Sequence, residues 1–331
     1  MTPRFLGLGP LAPLLNDSGI TDVVVNAGRA WVDRGNGLER TDVGFADDVT
    51  LRQLAQRLAN ACGRRLDDAQ PWVDARLPDG TRLHAVLPPL ATDGVALSLR
   101  TFRRRVFTLQ ELHQLGTIEQ PALAILRAII AARLSYVVTG GTGSGKTTLL
   151  SSLLSATPPN ERIIAVEDVT ELRPAHPHVV SLQARAANSE GSGAVTLREL
   201  VRQALRMRPD RIVVGECRGA EITELLSALN TGHDGSAGTV HANSPADVPA
   251  RLEALAAVGG LSSTALRAQV AAGLQCVVHL ARVSTGRIVS EIGVIVADTA
   301  LSVQPAWRSQ AAEQPGLDTL RHKCAQRGVQ L

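Results

Sequence analysis

Aromatic residues are scarce in this 331-residue chain: Trp, Tyr and Phe together make up only 2% of it. Stacking surface for the bases of a single strand is therefore small, which argues against a strand-tracking helicase or translocase and against nucleic acid as a direct ligand. With so few rings, the core has to be built from Leu, Val, Ile and Ala, and a 44% hydrophobic composition supplies them. No run of 18 apolar residues occurs. The best candidate, residues 123–138, is interrupted by Arg127 and Arg133, so any membrane role is expected to be peripheral. Four cysteines (Cys62, Cys217, Cys276 and Cys324) form no CxxC pair, which argues against a zinc ribbon or a disulfide framework and fits a reducing cytosol. The first residues lack a signal-peptide cleavage pattern. Lysine is nearly absent as well, present only as Lys146 and Lys323. GC-rich codon usage accounts for such a bias, but a lysine kept against it points to work for a compact point charge. The net charge of +3 permits an anionic partner without demanding one.

The length suggests two domains, at about 150 residues each. Residues 1–99 read as a small α+β unit. Strands are expected over Asp22–Asn26 and Ala30–Asp33, and a helix over Thr50–Cys62 that stops at Gly63. A hairpin is expected to turn at Pro78-Asp79-Gly80, followed by a strand over Val95–Arg100. The arginine run that follows makes 100–107 a linker, either a solvated charge run or a source of cations for a neighbouring phosphate site. From residue 108 to 331 short apolar strands alternate with helices, two of them opened by the capping boxes Thr108–Glu111 and Thr196–Glu199. That alternation implies an α/β domain with a mostly parallel sheet covered on both faces. Beyond Asp298 the pattern weakens, with a last helix expected over Leu317–Gln326.

Residues Gly140-Gly141-Thr142-Gly143-Ser144-Gly145-Lys146-Thr147 fit G-x-x-x-x-G-K-[ST] in full, after the apolar strand Tyr136–Val138 and leading into the helical run Thr147–Leu154. Strand, loop and helix in that order make a P-loop. Its glycines let successive amides turn inward around phosphate oxygens, with a helix start adding a favourable dipole. In this pattern Lys146 pairs the β- and γ-phosphates of ATP and the Thr147 hydroxyl ligates Mg²⁺. Acids stand at two further strand ends: Glu216 after Ile212–Val214, and Glu167, Asp168 and Glu171 after Ile163–Val166. Glu216 stands where a Walker-B acid would, serving Mg²⁺ partly through water.

The motifs GGTGSGKTT, VEDVTEL, LRMRPDRIVVGECRG and NTGHDGSAGTVHANS, in this order, resemble the Walker A, Asp box, Walker B and His box of type II/type IV secretion ATPases. The closer resemblance is to the Tad/Flp-pilus branch, the CpaF-like ATPases, whose N-terminal pattern is similar to VDARLPDGTRLHAVLPP and LSLRTF here. The resemblance implies a RecA-like P-loop domain in a hexameric ATP-hydrolysing motor that works at the inner face of the cell membrane with platform proteins of a pilus or secretion machine. A conjugative type IV secretion ATPase exporting DNA or protein is the alternative. It further implies that Glu167 polarises the attacking water with Glu171 in support, that His233 and His241 sense the γ-phosphate and link the sites of adjacent subunits, and that Arg100 and Arg103 reach the nucleotide from the N-terminal domain. Arg206, Arg208 and Arg218 are further candidates for charge neutralisation. The type II four-cysteine zinc element is missing, and there is little sequence before Thr21.

For His233 and His241 themselves, three readings stand. Their separation fits no common zinc spacing, and Asp234 is the one further ligand nearby, so metal binding is disfavoured. A structural role in a buried turn and phosphate sensing at the carboxyl edge of the sheet both remain. His176 and His178, in a proline-rich loop, read as structural or surface residues.

Overall fold

The computed structural model describes residues 7–331 except 18, 36, 102–105, 186, 188–191, 285, 299 and 312–313. The chain divides into two units, Met1–Arg105 and Val106–Leu331.

Period-two alternation dominates the first unit. Its elements are α1 (Ala12–Asn16), β1 (Asp22–Asn26), β2 (Arg29–Asp33), β3 (Leu38–Gly44), α2 (Asp48–Ala61), β4 (Trp72–Arg76), β5 (Arg82–Val86) and β6 (Ala96–Arg100). All strands pair antiparallel in the order β3-β2-β1-β6-β5-β4. Inward residues such as Val23, Val25, Leu83, Leu97 and Leu99 meet Leu51, Leu54 and Leu58 of α2 in one core. The Asp47 side chain caps α2 by accepting from the Thr50 amide. The β4–β5 turn holds Gly80 at φ 95°, where a Cβ would be strained. Strand β3 was not expected. Its sequence LERTDVG is an exposed edge rich in charge, which protects an open edge but hides the strand's pattern.

In the second unit the elements are α3 (Leu109–Gln114), α4 (Gln120–Ala131), β7 (Tyr136–Gly140), α5 (Lys146–Ser155), β8 (Ile163–Glu167), β9 (Val179–Gln183), α6 (Leu197–Ala204), β10 (Arg211–Cys217), α7 (Glu221–Leu229), β11 (Ala237–Val240), α8 (Val248–Val258), α9 (Ser263–Gly273), β12 (Cys276–Val283), β13 (Gly286–Ala297), β14 (Leu301–Arg308) and α10 (Gly316–Ala325). The sheet order is β14-β13-β12-β7-β11-β10-β8-β9. From β12 to β9 every pairing is parallel, and β13 and β14 add antiparallel. Both faces are covered, as continuous apolar strands require. Tyr136 and Val138 of β7 face one core with α4, α5 and α10, and Val137 faces the other with α6 to α9. Both expected capping boxes form, at Thr108–Glu111 and Thr196–Glu199.

The weakly patterned tail does carry a strand: β14 runs through it and pairs with β13, with Gln304 and Pro305 breaking the apolar pattern, and α10 lies where the last helix is expected. No helix among the described residues is long and apolar enough to cross a membrane.

Candidate active site at the carboxyl edge of the sheet

Parallel register places the ends of β7, β8, β10 and β11 along one edge: Val240 pairs with Thr139, Val214 with both Gly238 and Val166. The loop after β7 opens there. Gly140, Gly143 and Gly145 hold φ of 145°, 70° and 97°, all in the region that favours glycine. A Cβ on Gly140 would stand 2.5 Å from the Leu280 carbonyl oxygen and 2.6 Å from Ser144 Oγ, so only glycine fits. Gly145 then starts α5, whose first residue is Lys146.

Lys146 Nζ donates to the carbonyls of Gly140 and Gly141, each at 2.9 Å, and to His241 Nε2 at 3.2 Å. The same imidazole nitrogen lies 3.4 Å from Glu216 Oε1. Glu216 Oε2 accepts from Arg218 Nη2 at 2.7 Å. Thus loop lysine, His-box imidazole and strand-end carboxylate form one chain of contacts. Burial lowers the Lys146 ammonium below its ordinary pKa, with Glu216 opposing the shift. His241 is lowered too, first by burial and then by Lys146, again against Glu216. A neutral imidazole can accept from Lys146. A protonated one cannot, and would instead donate to Glu216.

Glu167, at the end of β8, is 3% exposed, and its Oε1 accepts the amides of Glu171 and Leu172 at 2.9 Å each. That carboxylate fixes the turn after β8, and the turn carries Glu171 to the loop, where its Oε2 accepts from Thr147 Oγ1 at 3.5 Å. Gly215 leaves the room for this: a Cβ there would meet Glu167 Cγ at 2.6 Å. A hydroxyl with two carboxylates is a hard oxygen donor set that suits Mg²⁺, which uses few protein ligands and completes its shell with water and phosphate oxygens. Among the described residues no group of three or more His, Cys, Asp and Glu side chains forms a ready-made metal cluster.

His233 does not join this site within the chain. It precedes β11 whereas His241 follows it, so the strand, roughly 13 Å long at about 3.3 Å per residue, separates them. His233 Nδ1 contacts the Ala228 carbonyl at 3.2 Å, a structural role at the amino edge. Arg206 and Arg208 precede β10 at that same edge, while Arg218 follows β10 beside Glu216. Arg100 pairs with Asp22 across β1 and β6 at 2.8 Å. Arg103 lies outside the described residues. His178 contacts Arg162 and His176 the Pro158 carbonyl, as structural residues do.

Two neighbours of the loop were not foreseen. His279, buried in β12, meets Thr139 Oγ1 through Nδ1 at 2.8 Å, and Arg287 of β13 donates through Nε to the Gly143 carbonyl at 2.8 Å. Neither lies in a motif; only the pairing of β12 with β7 brings them in.

The site can be set beside known proteins. The X-ray structure of the Legionella pneumophila ATPase DotB superposes with a TM-score of 0.63 at 21% identity, over 90% of this chain and 82% of that one. The pilus retraction motor PilT with bound ADP gives 0.61 at 19%, over 90% and 84%. Both likenesses are of fold. In sequence, a putative conjugal transfer protein of Mycobacterium tuberculosis is 58% identical over 297 residues, covering 87% of this chain and 84% of the relative. The type IV secretion system protein PtlH of Bordetella pertussis is 36% identical over 262 residues, 72% of this chain and 77% of its own. The family profile describing type II/IV secretion system proteins matches residues 5–324, which takes in every strand end of the site. With its P-loop, its paired strand-end acids and a match along nearly its whole length, the chain belongs to the type II/IV secretion system protein family.

Proposed function

We propose that the chain is a motor ATPase subunit that hydrolyses ATP to ADP and phosphate and so powers a pilus-assembly or secretion machine. The observation that carries this reading is the contact chain from Lys146 through His241 to Glu216, beside Thr147 and Glu171. In it, the loop from Gly140 to Thr148 cradles the phosphates and Lys146 leaves its loop carbonyls to pair the β- and γ-oxygens. Thr147 and Glu216 hold Mg²⁺, partly through water, with Glu171 beside them; the ion, when bound, offsets charge building on the transferred group. Glu167 orients the attacking water and anchors the turn that carries Glu171. Arg218, paired with Glu216, is a cation available in the same chain for the phosphoryl charge. His241 reports occupancy of the site, because nucleotide and imidazole compete for Lys146.

The finer reading is a homohexameric ring of Tad/Flp type, attached peripherally to the cytoplasmic face of the cell membrane through platform proteins. The name of the 58%-identical mycobacterial relative favours conjugal transfer as a second reading of the load, with the same chemistry at the site. Purified chain should release phosphate from ATP in a Mg²⁺-dependent way. Glu216→Gln should keep nucleotide binding and lose most of that turnover. Absence of phosphate release from the unmodified protein, free or with membrane fractions, overturns the reading. Capture of a pilus platform protein or of a conjugation component by the tagged chain decides the load.

A further inference from the structure

Strand β12 outruns its neighbour. It pairs with β7 from Cys276↔Tyr136 to Leu280↔Gly140, where β7 ends in the phosphate loop, and it continues through Val283. Those three extra residues carry the β12–β13 hairpin roughly 10 Å past the sheet edge, at about 3.3 Å each. The hairpin register sets Arg287 opposite Arg282, and so alongside the loop. Two contacts follow. The Arg287 stem covers Gly145, where a Cβ would lie 3.3 Å from Cδ, and its Nε–H holds the Gly143 carbonyl at 2.8 Å. At the hairpin's base, the Leu280 carbonyl fills the space a Cβ on Gly140 would take.

We propose that Arg287 is a positioning residue for nucleotide binding, a clamp from the β12–β13 hairpin that holds the phosphate loop in its binding shape. In a trans peptide the C=O and the following N–H point opposite ways. Drawing the Gly143 carbonyl towards Arg287 therefore turns the Ser144 amide away from the hairpin and into the loop, where it donates to the Gly141 carbonyl at 3.3 Å. A loop fixed this way does not have to be ordered when a triphosphate binds, so affinity rises without any contact to the transferred group. Lys146 serves the other side of the loop through Gly140 and Gly141. The clamp acts alike on ATP and ADP because it works through the backbone.

This inference rests on the nucleotide site proposed above. The test compares the full-length protein with R287M, which keeps the stem over Gly145 and loses the donor, and with R287K, which keeps a charge without the Nε geometry. Affinities for fluorescent ATP and ADP analogues are measured by titration, and kcat and KM by phosphate release. R287M should weaken both nucleotides about tenfold, as expected for a charged hydrogen bond, with kcat within about twofold of the unmodified protein. R287K should fall between the two. Unchanged affinity in R287M overturns the clamp. So does a loss confined to ATP with a fall in kcat, which would put Arg287 on the phosphates themselves. If the unmodified protein binds neither nucleotide, the site itself fails; if it binds both and R287M binds as well, only the clamp fails.

Discussion

His241 sits between a cation and an anion, Lys146 Nζ at 3.2 Å and Glu216 Oε1 at 3.4 Å, and its protonation decides which one it serves. Its folded pKa is lowered, chiefly by burial. The unfolded chain therefore takes up this proton first. The stability tied to the neutral ring is complete above the unfolded value of about 6.5 and is lost as pH falls towards the lower folded one. An NMR titration should find the His241 midpoint below 6.5; a midpoint above it would contradict the assignment of a neutral ring accepting from Lys146. Gly215 makes a second, steric prediction. Its Cα faces Glu167 closely enough that an added Cβ would be 2.6 Å from Cγ. Gly215→Ala should displace Glu167, cost about 1–3 kcal/mol in urea unfolding, and depress turnover more than nucleotide binding. An unchanged midpoint and rate would show that Glu167 can move without consequence.

Sequence motifs located the loop because glycines, lysine and strand-then-helix context all lie within a few residues of each other. Proximity in sequence does not hold His233 and His241 together within the chain. One motif holds both histidines, yet the short strand β11 runs between them and sends them to opposite edges. Arg287 was illegible for the converse reason: it lies 144 residues from Gly143 and reaches it only because β12 overshoots β7. Strands β3, β13 and β14 escaped notice because edge strands and antiparallel additions mix polar residues into the pattern. The amino edge of the sheet is organised just as firmly. Arg211 of β10 is fully buried, donating to Glu161 Oε2 at 2.6 Å and to the Gly235 and Ile130 carbonyls. Arg133 reaches the same carboxylate at 3.2 Å. Glu161→Leu leaves a guanidinium buried without its counter-charge and should cost about 3–5 kcal/mol, read as a fall in thermal midpoint. A loss below about 1 kcal/mol would mean that backbone carbonyls alone satisfy Arg211.

Each of the two units has its own core. Among the described residues, the buried core of the first unit is drawn from residues 11–99 and the two cores of the second from residues 109–324. Residues 106–331 expressed alone should therefore unfold cooperatively and bind nucleotide through the loop; a fragment without a cooperative transition would contradict this autonomy. The proposed hydrolysis depends first on the loop. In a phosphate-release assay, Lys146→Ala should cut ATP turnover about a hundredfold or more while the circular dichroism spectrum stays that of the unmodified protein. Turnover at the unmodified rate in that variant would contradict the assignment of the Gly140–Thr147 loop as the site of hydrolysis.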